Sequence, residues 1–193
     1  MINLLKYRAA LIGIMFGLFG GGLSKLLVID EMSGYYTALS SLLALIISLL
    51  ISFLLKGRWN RHVRNNIKII SIVLFAGFIY SIYLHTILFT EGTFRFKSFE
   101  GNTSYYVKGD VYTFVALAFK KNNPQIISDE DLVREGFESP DEKGKIWTPK
   151  SIRKSLIKLI SSYSLVVISF VSIISILMEV LIGHYKHSTL KTQ

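Results

Sequence analysis

The chain has 193 residues, of which 51% are hydrophobic, and its formal net charge is +9. Its mean hydropathy of +0.45 is too high for an ordinary soluble domain, so a purely soluble protein is excluded. The sequence contains no cysteine, which excludes disulfides, thiolate metal sites, cysteine nucleophiles and cysteine lipidation.

Four segments are long and apolar enough to cross a membrane, for which roughly 20 apolar residues are needed. The first follows Lys6 and Arg8, as the apolar core of a secretory signal does, but it is too long for a signal and no small-residue cleavage site follows it. We therefore predict an α-helical integral membrane protein with four transmembrane helices, at residues 9–29, 35–55, 69–90 and 155–183.

The segments that connect these helices differ in charge. The loop at 56–68, KGRWNRHVRNNIK, has five cations and no acid, whereas the short turn at 30–34 carries two acids. Positively charged loops stay on the cytoplasmic side of a membrane. We therefore expect the 56–68 loop in the cytoplasm together with both termini, residues 1–8 and 184–193, and we expect the insert at 91–154 outside.

One cluster of charge opposes this orientation. Four cations crowd the outer end of the fourth helix, namely Lys150, Arg153, Lys154 and Lys158. The insert that precedes them is long, and long segments translocate with less regard to their charge than short loops do. The predicted orientation therefore stands.

The basic loop at 56–68 has two interpretations. As a topology signal, it holds Trp59 at the headgroup level and its cations against anionic lipid. As a docking surface, its arginines offer planar bidentate contacts to the carboxylates of a soluble partner. Direct nucleic-acid binding by so short a loop is not expected. The hypothetical docking face consists of Arg58, Trp59, Arg61, Arg64, His184, Tyr185 and Lys186.

Glycines repeat every four residues in the first predicted helix, at Gly13, Gly17 and Gly21. Small residues at this spacing share one helix face and allow close approach of another helix in lipid. Glycine is also common in membrane helices for other reasons. The spacing favours a helix-packing role, within the chain or between copies of it.

Polar residues also lie inside the predicted helices. Ser162, Ser169 and Ser172 share one face of the fourth helix, where they can bond across helices, line a wet path or bond to the carbonyls of their own helix. His85 is the one ionisable residue of the third helix. It lies about one turn from the predicted boundary, so we interpret it as an interfacial histidine.

The insert at 91–154 is predicted to be a small α+β module. Phe94–Lys97 alternates apolar and cationic residues and predicts a strand, and Tyr105–Val107 predicts its return. Asp110 is the predicted N-cap of a helix over VYTFVALAFKK, residues 111–121, which Asn122, Asn123 and Pro124 end, although the β-branched and aromatic content of this segment also suits a buried strand.

Two further helix starts are indicated in the insert. Ser128 with Asp131 three residues later is a variant of the capping box, and Gly136 is the predicted end of that short helix. Thr148 followed by Pro149 is a strong helix start. We therefore expect the last transmembrane helix to begin near residue 149, above the membrane, and to end near Ile182.

The sequence contains no catalytic or metal-binding motif that withstands inspection. The acids Asp129, Glu130 and Asp131 lack the spacing and glycine of an EF-hand loop. His184 and His187 have no third ligand nearby in the sequence. We therefore expect no enzyme activity, no bound metal and no cofactor.

Three classes of function fit these features. The first is a membrane sensor or anchor that couples the insert to a cytoplasmic partner. The second is a pore-forming abortive-infection effector, and the third is an immunity protein that shields the envelope. A folded insert on a helical stalk, together with the basic loop, favours the first class.

The layout resembles the KwaA family, the membrane subunits of the bacterial Kiwa anti-phage defence system. The resemblance covers the whole chain: four spans, a cationic loop at Lys56–Lys68 and one insert at Glu91–Lys154. It implies a homo-oligomer in the bacterial inner membrane that senses phage attachment or genome entry. It further implies a soluble, DNA-binding cytoplasmic partner similar to KwaB.

Overall fold

The computed structural model describes residues 13, 29, 32–55, 61–97 and 101–189. The described part is mostly helical, with one two-stranded sheet. In chain order, its elements are α1 (Ser33–Leu55), α2 (Arg61–Gly92), β1 (Thr93–Lys97), β2 (Thr103–Val107), α3 (Phe114–Asn122), α4 (Asp129–Gly136), a 3-10 turn (Pro140–Glu142), α5 (Lys143–Ile146) and α6 (Pro149–Thr189).

Three helices of the described residues are long and apolar enough to cross a membrane, which supports a multi-pass helical membrane protein. The candidate spans are Gly34–Leu55, Asn66–Gly92 and Pro149–Leu181, and they correspond to three of the four predicted spans. The remaining predicted span, at 9–29, lies outside the described residues apart from Gly13 and Ile29, so it stays a prediction.

Two of the long helices extend beyond their predicted ends. Helix α2 begins at Arg61, so the second half of the predicted 56–68 loop is helical. Helix α6 begins at Pro149, which confirms the predicted start, but it continues to Thr189 rather than ending near Ile182. The helices can continue because neither extension contains a proline. Gly183 does not end α6, since a helix tolerates an internal glycine at a cost of about 1 kcal/mol.

The chain divides into two compact units. The first contains most of α1, the part of α2 up to Tyr83 and the part of α6 from Tyr163. Within it, the rings of Tyr36 and Tyr163 lie 4.4 Å apart and those of Phe78 and Phe170 lie 5.6 Å apart. Many other large apolar side chains of α1 and α2 are exposed, as a surface that faces lipid requires.

The second unit contains residues 84–162 and therefore the whole insert. Its sheet is an antiparallel hairpin that starts directly after α2, with Phe94 opposite Tyr106. This confirms both predicted strands. Gly101 has a φ of 85° just before β2, a conformation that glycine adopts without steric cost.

The hydrophobic core of the insert lies between this hairpin and the short helices. Trp147 is its largest fully buried side chain, and the Trp147 ring lies 5.2 Å from the ring of Phe94. Burial of aromatic rings supplies a large share of the stability of a small module. The buried members of the core are Phe94, Phe96, Ala116, Ile126, Leu132, Val133, Ile146 and Trp147.

The predicted start of α4 is confirmed and that of α3 is wrong. The Ser128 hydroxyl accepts a hydrogen bond of 3.0 Å from the Asp131 amide, and α4 ends at Gly136 as predicted. Helix α3 begins at Phe114 with Thr113 as its N-cap. Asp110 does not cap it, because the Asp110 carboxylate accepts a hydrogen bond of 2.7 Å from Lys154.

Candidate partner-binding surface on the insert

Helix α3 presents an apolar face to solvent, which we call the α3 face and define as Phe114, Val115 and Leu117. These side chains are 85%, 59% and 53% exposed. Beyond the long helices, the exposed large apolar side chains of the described residues are these three, Val111 and Ile127. Exposed apolar surface in a folded module is concentrated where the module binds something.

The start of α3 is held by the segment that leads into α6. The amide of Thr113 donates to the carbonyl of Ile146 at 2.8 Å, and the amide of Thr148 donates to the carbonyl of Val111 at 2.9 Å. The Thr113 hydroxyl donates to the carbonyl of Lys145. These bonds fix the position of the α3 face before any partner arrives, which reduces the entropy lost on binding.

The opposite side of α3 is packed into the insert. Ala116 is fully buried, and the ring of Phe119 lies 6.0 Å from the ring of Phe137. A Cβ atom on Gly136 would lie 2.8 Å from the Phe119 ring, so α3 and α4 approach closely at this point. Helix α3 therefore has apolar side chains on both sides, one side packed into the insert and the other uncovered.

A network of polar side chains around Asp129 lies beside the core of the insert. Asp129 accepts hydrogen bonds from Lys108 at 2.6 Å and from the Tyr112 hydroxyl at 2.7 Å, and the ammonium of Lys120 lies 4.7 Å from the centre of the Tyr112 ring. Burial and the bond to Asp129 raise the pKa of Tyr112 to about 12. The acids at 129–131 thus take part in ion pairing and helix capping.

Asp110 links the insert to α6. The hydrogen bond from Lys154, followed by weaker electrostatic contributions, lowers the pKa of the Asp110 carboxyl. The carboxylate therefore stays ionised at neutral pH, and its bond to Lys154 is lost only when acidification protonates it. Both side chains are exposed, so the contact positions the segment rather than contributing much to stability.

His85 is buried against α6. It is 2% exposed, and its Nδ1 lies 2.8 Å from the hydroxyl of Ser162. Ser162 also donates to the carbonyl of Leu159 at 3.1 Å. His85 is therefore part of the packing between α2 and α6, and its predicted depth near the membrane boundary stays a prediction.

The predicted serine stripe of the last helix lies on its buried side. Ser162, Ser169 and Ser172 are all buried. Ser162 makes both kinds of bond considered from the sequence, to its own helix and to another. Buried serines at such positions allow close helix packing in lipid.

The residues predicted to dock a partner are located only in part. Arg58 and Trp59 lie outside the described residues. Arg61 and Arg64 lie in the first turn of α2. His184, Tyr185 and Lys186 belong to the C-terminal part of α6. Their assembly into one docking face therefore remains a prediction.

The predicted glycine seam is also located only in part. Gly13 is helical, and a Cβ atom placed on it would meet no atom within 4 Å. Gly17 and Gly21 lie outside the described residues. A packing role for the three glycines stays a prediction.

Reasoning from the sequence missed the α3 face. The run VYTFVALAF is largely apolar, and the sequence predicts for it a helix capped by Asp110 or, as the alternative, a buried strand. The missing signal is Thr113, whose hydroxyl accepts from the Ala116 amide at 3.2 Å. A helix that starts there puts Phe114, Leu117 and Lys121 on one side at spacings of three and four.

The three apolar helices and the folded insert define the class: a helical, multi-pass membrane protein with a small α+β module between two of its long helices. In the part of the chain that the structure describes, no group of three or more histidine, aspartate or glutamate side chains could hold a metal ion. No known protein family, characterised protein or solved structure matches the chain.

Proposed function

We propose that this chain is a membrane sensor whose insert binds a protein at the cell envelope and passes the event to a soluble partner in the cytoplasm. The observation that carries the proposal is the α3 face, an uncovered apolar surface on a module that is otherwise packed. Such a surface, rimmed by polar residues, is typical of protein-binding sites.

The hydrogen bonds at the start of α3 connect it to the start of α6, and we propose that the signal passes along this connection. Thr113 and Val111 bond to Ile146 and Thr148, and α6 begins one residue later. A partner that moves α3 therefore acts directly on the first turn of α6. This helix has 41 residues and is about 61 Å long at 1.5 Å per residue, more than the roughly 30 Å of hydrocarbon.

The helix ends remote from the insert supply the cytoplasmic side of the proposed sensor. Arg61 and Arg64 open α2, and His184, Tyr185 and Lys186 lie near the end of α6. Their positive charge favours the cytoplasm and suits an acidic surface on a soluble partner. Both termini are then cytoplasmic, and the insert lies in the periplasm of a bacterial inner-membrane protein.

The layout shared with the KwaA family supports a more specific role within this class. In that role, homo-oligomers of the chain detect phage at the envelope and act through a DNA-binding partner similar to KwaB. A pore-forming effector and an envelope immunity protein are the alternatives. A pore-forming effector does not require an apolar recognition face on a rigidly held helix.

The double substitution Phe114→Ser and Leu117→Ser tests the role of the α3 face. Both side chains are more than half exposed, so the variant should fold and insert normally. In cells that carry the gene with its genomic neighbours, we expect the wild-type chain to lower phage plaque counts at least tenfold. We expect the variant to lose this protection, because the partner loses its apolar contacts.

Ile127→Ser is the matched control, because Ile127 is 86% exposed and lies outside α3. It should protect as the wild type does. Full protection by the double variant would show that the α3 face is not the recognition surface. A lack of protection by the wild type against a broad phage panel would contradict the defence role while leaving the sensor class open to another trigger.

A further inference from the structure

The first turns of α6 carry a cationic stripe, which we define as Lys150, Arg153, Lys154 and Lys158. Their spacings of three and four put them on one face of the helix, and Ile157 lies on the same face. All five side chains are exposed. Leu159, on the opposite face of the helix, is fully buried.

Most of the charge on this stripe is not neutralised by the protein. Lys154 pairs with Asp110 at 2.7 Å. Among the residues that the structure describes, Lys150, Arg153 and Lys158 form no ion pair. Three unpaired cations therefore remain on one helix face, and Lys158 lies close enough to Asp110 to contribute to lowering its pKa.

The stripe lies directly beside the hydrocarbon region. The uncharged run of α6 begins at Leu159 and continues to Met178. A Cβ atom on Gly92, at the end of α2, would lie 3.4 Å from the side chain of Leu159. The apolar parts of α2 and α6 therefore end at the same level, which is where the edge of the hydrocarbon would lie if both helices span the membrane.

The rise of the helix places Lys158 and Lys154 in the headgroup layer, with Arg153 at its outer edge and Lys150 about 14 Å above Leu159. At 1.5 Å per residue, Lys158, Lys154 and Arg153 lie about 2, 8 and 9 Å above Leu159. The headgroup layer on each side of a bilayer is roughly 5–8 Å thick, and long cationic side chains extend toward it from nearby positions.

We propose that the cationic stripe binds the phosphate groups of anionic phospholipids in the leaflet next to the insert. The phosphates neutralise Lys158, Arg153 and Lys150, and Arg153 can bind one of them through two parallel N–H donors. The exposed Ile157 lies between the cations and contacts the upper part of the acyl chains.

The position of the stripe favours lipid phosphate over the phosphate of a nucleic acid as its ligand. Lys158 directly precedes the uncharged run of α6, so the stripe adjoins the apolar part of the helix. Positive charge by itself favours the cytoplasmic side, so the cations at the start of α6 oppose the predicted orientation. Binding to anionic lipid gives these cations a role on the side where the insert lies. The proposal holds for either orientation of the chain, because it concerns the leaflet that the insert faces.

A fluorescent label on Ile157→Cys reports on the lipid beside the stripe, and the natural chain offers no competing cysteine. The full chain is reconstituted in mixed bilayers, where phosphatidylglycerol or phosphatidylcholine carries a nitroxide quencher near its headgroup. We expect phosphatidylglycerol to bind beside residue 157 at least about fivefold more tightly than phosphatidylcholine, because each nearby cation attracts anionic lipid. Raised salt should weaken this preference.

The substitutions Lys150→Gln, Arg153→Gln and Lys158→Gln should bring the preference close to one. The matched control removes one arginine and two lysines elsewhere on the insert, through Arg95→Gln, Lys97→Gln and Lys121→Gln. These three side chains are also exposed, and the control should keep the wild-type preference.

Equal quenching by both lipids in the wild-type background would overturn the proposal and leave the stripe a solvated helix face. Loss of the preference on addition of millimolar inorganic phosphate would assign the site to free phosphate instead. Displacement of phosphatidylglycerol by short single-stranded DNA would assign it to nucleic acid. Because the first measurement uses the unaltered stripe, a folding defect in the charge variants cannot mask the result.

Discussion

Replacing Trp147 with alanine is expected to destabilise the insert by about 3–5 kcal/mol, as removal of a buried aromatic ring does in other cores. Trp147 is 1% exposed and lies within ring contact of both Phe94 and Tyr112. No smaller side chain can fill the space between the hairpin and the segment before α6. Protease resistance of the insert during a urea titration of the purified protein measures the loss.

Phe114→Ala is the control for this substitution, because it also removes an aromatic ring but from a site that is 85% exposed. It should change the stability by less than about 0.5 kcal/mol. If Trp147→Ala and Phe114→Ala gave equal urea midpoints, Trp147 would not be part of the core as described here.

Gly109→Ala is the second substitution with a large expected effect. A Cβ atom at this position would lie 2.7 Å from the Cβ of Trp147 and would also collide with the hydroxyl of Ser151. Because Trp147 is packed on its other sides, the backbone has to shift, at a cost of about 1–3 kcal/mol. The urea midpoint of the insert should fall accordingly.

The same substitution at Gly144 should act in the opposite direction. Gly144 lies in α5, and a Cβ atom there would meet no atom within 4 Å. Alanine in a helix is more stable than glycine by about 0.5–1 kcal/mol. A stabilising effect of Gly109→Ala, or equal effects at both positions, would contradict the close contact between Gly109 and α6.

The elements that the sequence predicts correctly depend on local chemistry. Thr148 followed by Pro149 starts α6, and Ser128 caps α4, because both signals act within one helical turn. The strand at Phe94–Lys97 is equally local, since its alternation leaves the phenylalanines buried and the cations exposed. Each of these patterns has one favourable structural outcome.

The start of α3 could not be predicted because two residues compete to cap it. Asp110 and Thr113 are both good N-cap residues. Asp110 is drawn to Lys154, which lies 44 residues further along the chain, and this leaves Thr113 to cap the helix. The choice is made by a tertiary contact, and it also decides which side chains form the α3 face.

The pairing of His85 with Ser162 is non-local as well. The two residues are 77 positions apart, and each is noticeable in the sequence only by itself. Each of the two residues lies within an apolar run. Such a run predicts a transmembrane helix, but it does not predict which side of that helix faces its neighbour. Which polar groups face each other is set by the packing of α2 on α6.

A sensor that faces the envelope requires the insert and the basic helix ends to lie on opposite sides of the membrane, and thiol labelling of intact cells measures this directly. The chain has no cysteine, so Gln125→Cys in the insert and His62→Cys near the start of α2 each provide one unique thiol. Gln125 is exposed and should react with a membrane-impermeant maleimide in spheroplasts. His62→Cys should react only after the membrane is permeabilised. Labelling of His62→Cys in intact spheroplasts, with Gln125→Cys protected, would reverse the orientation and contradict a sensor that faces the envelope.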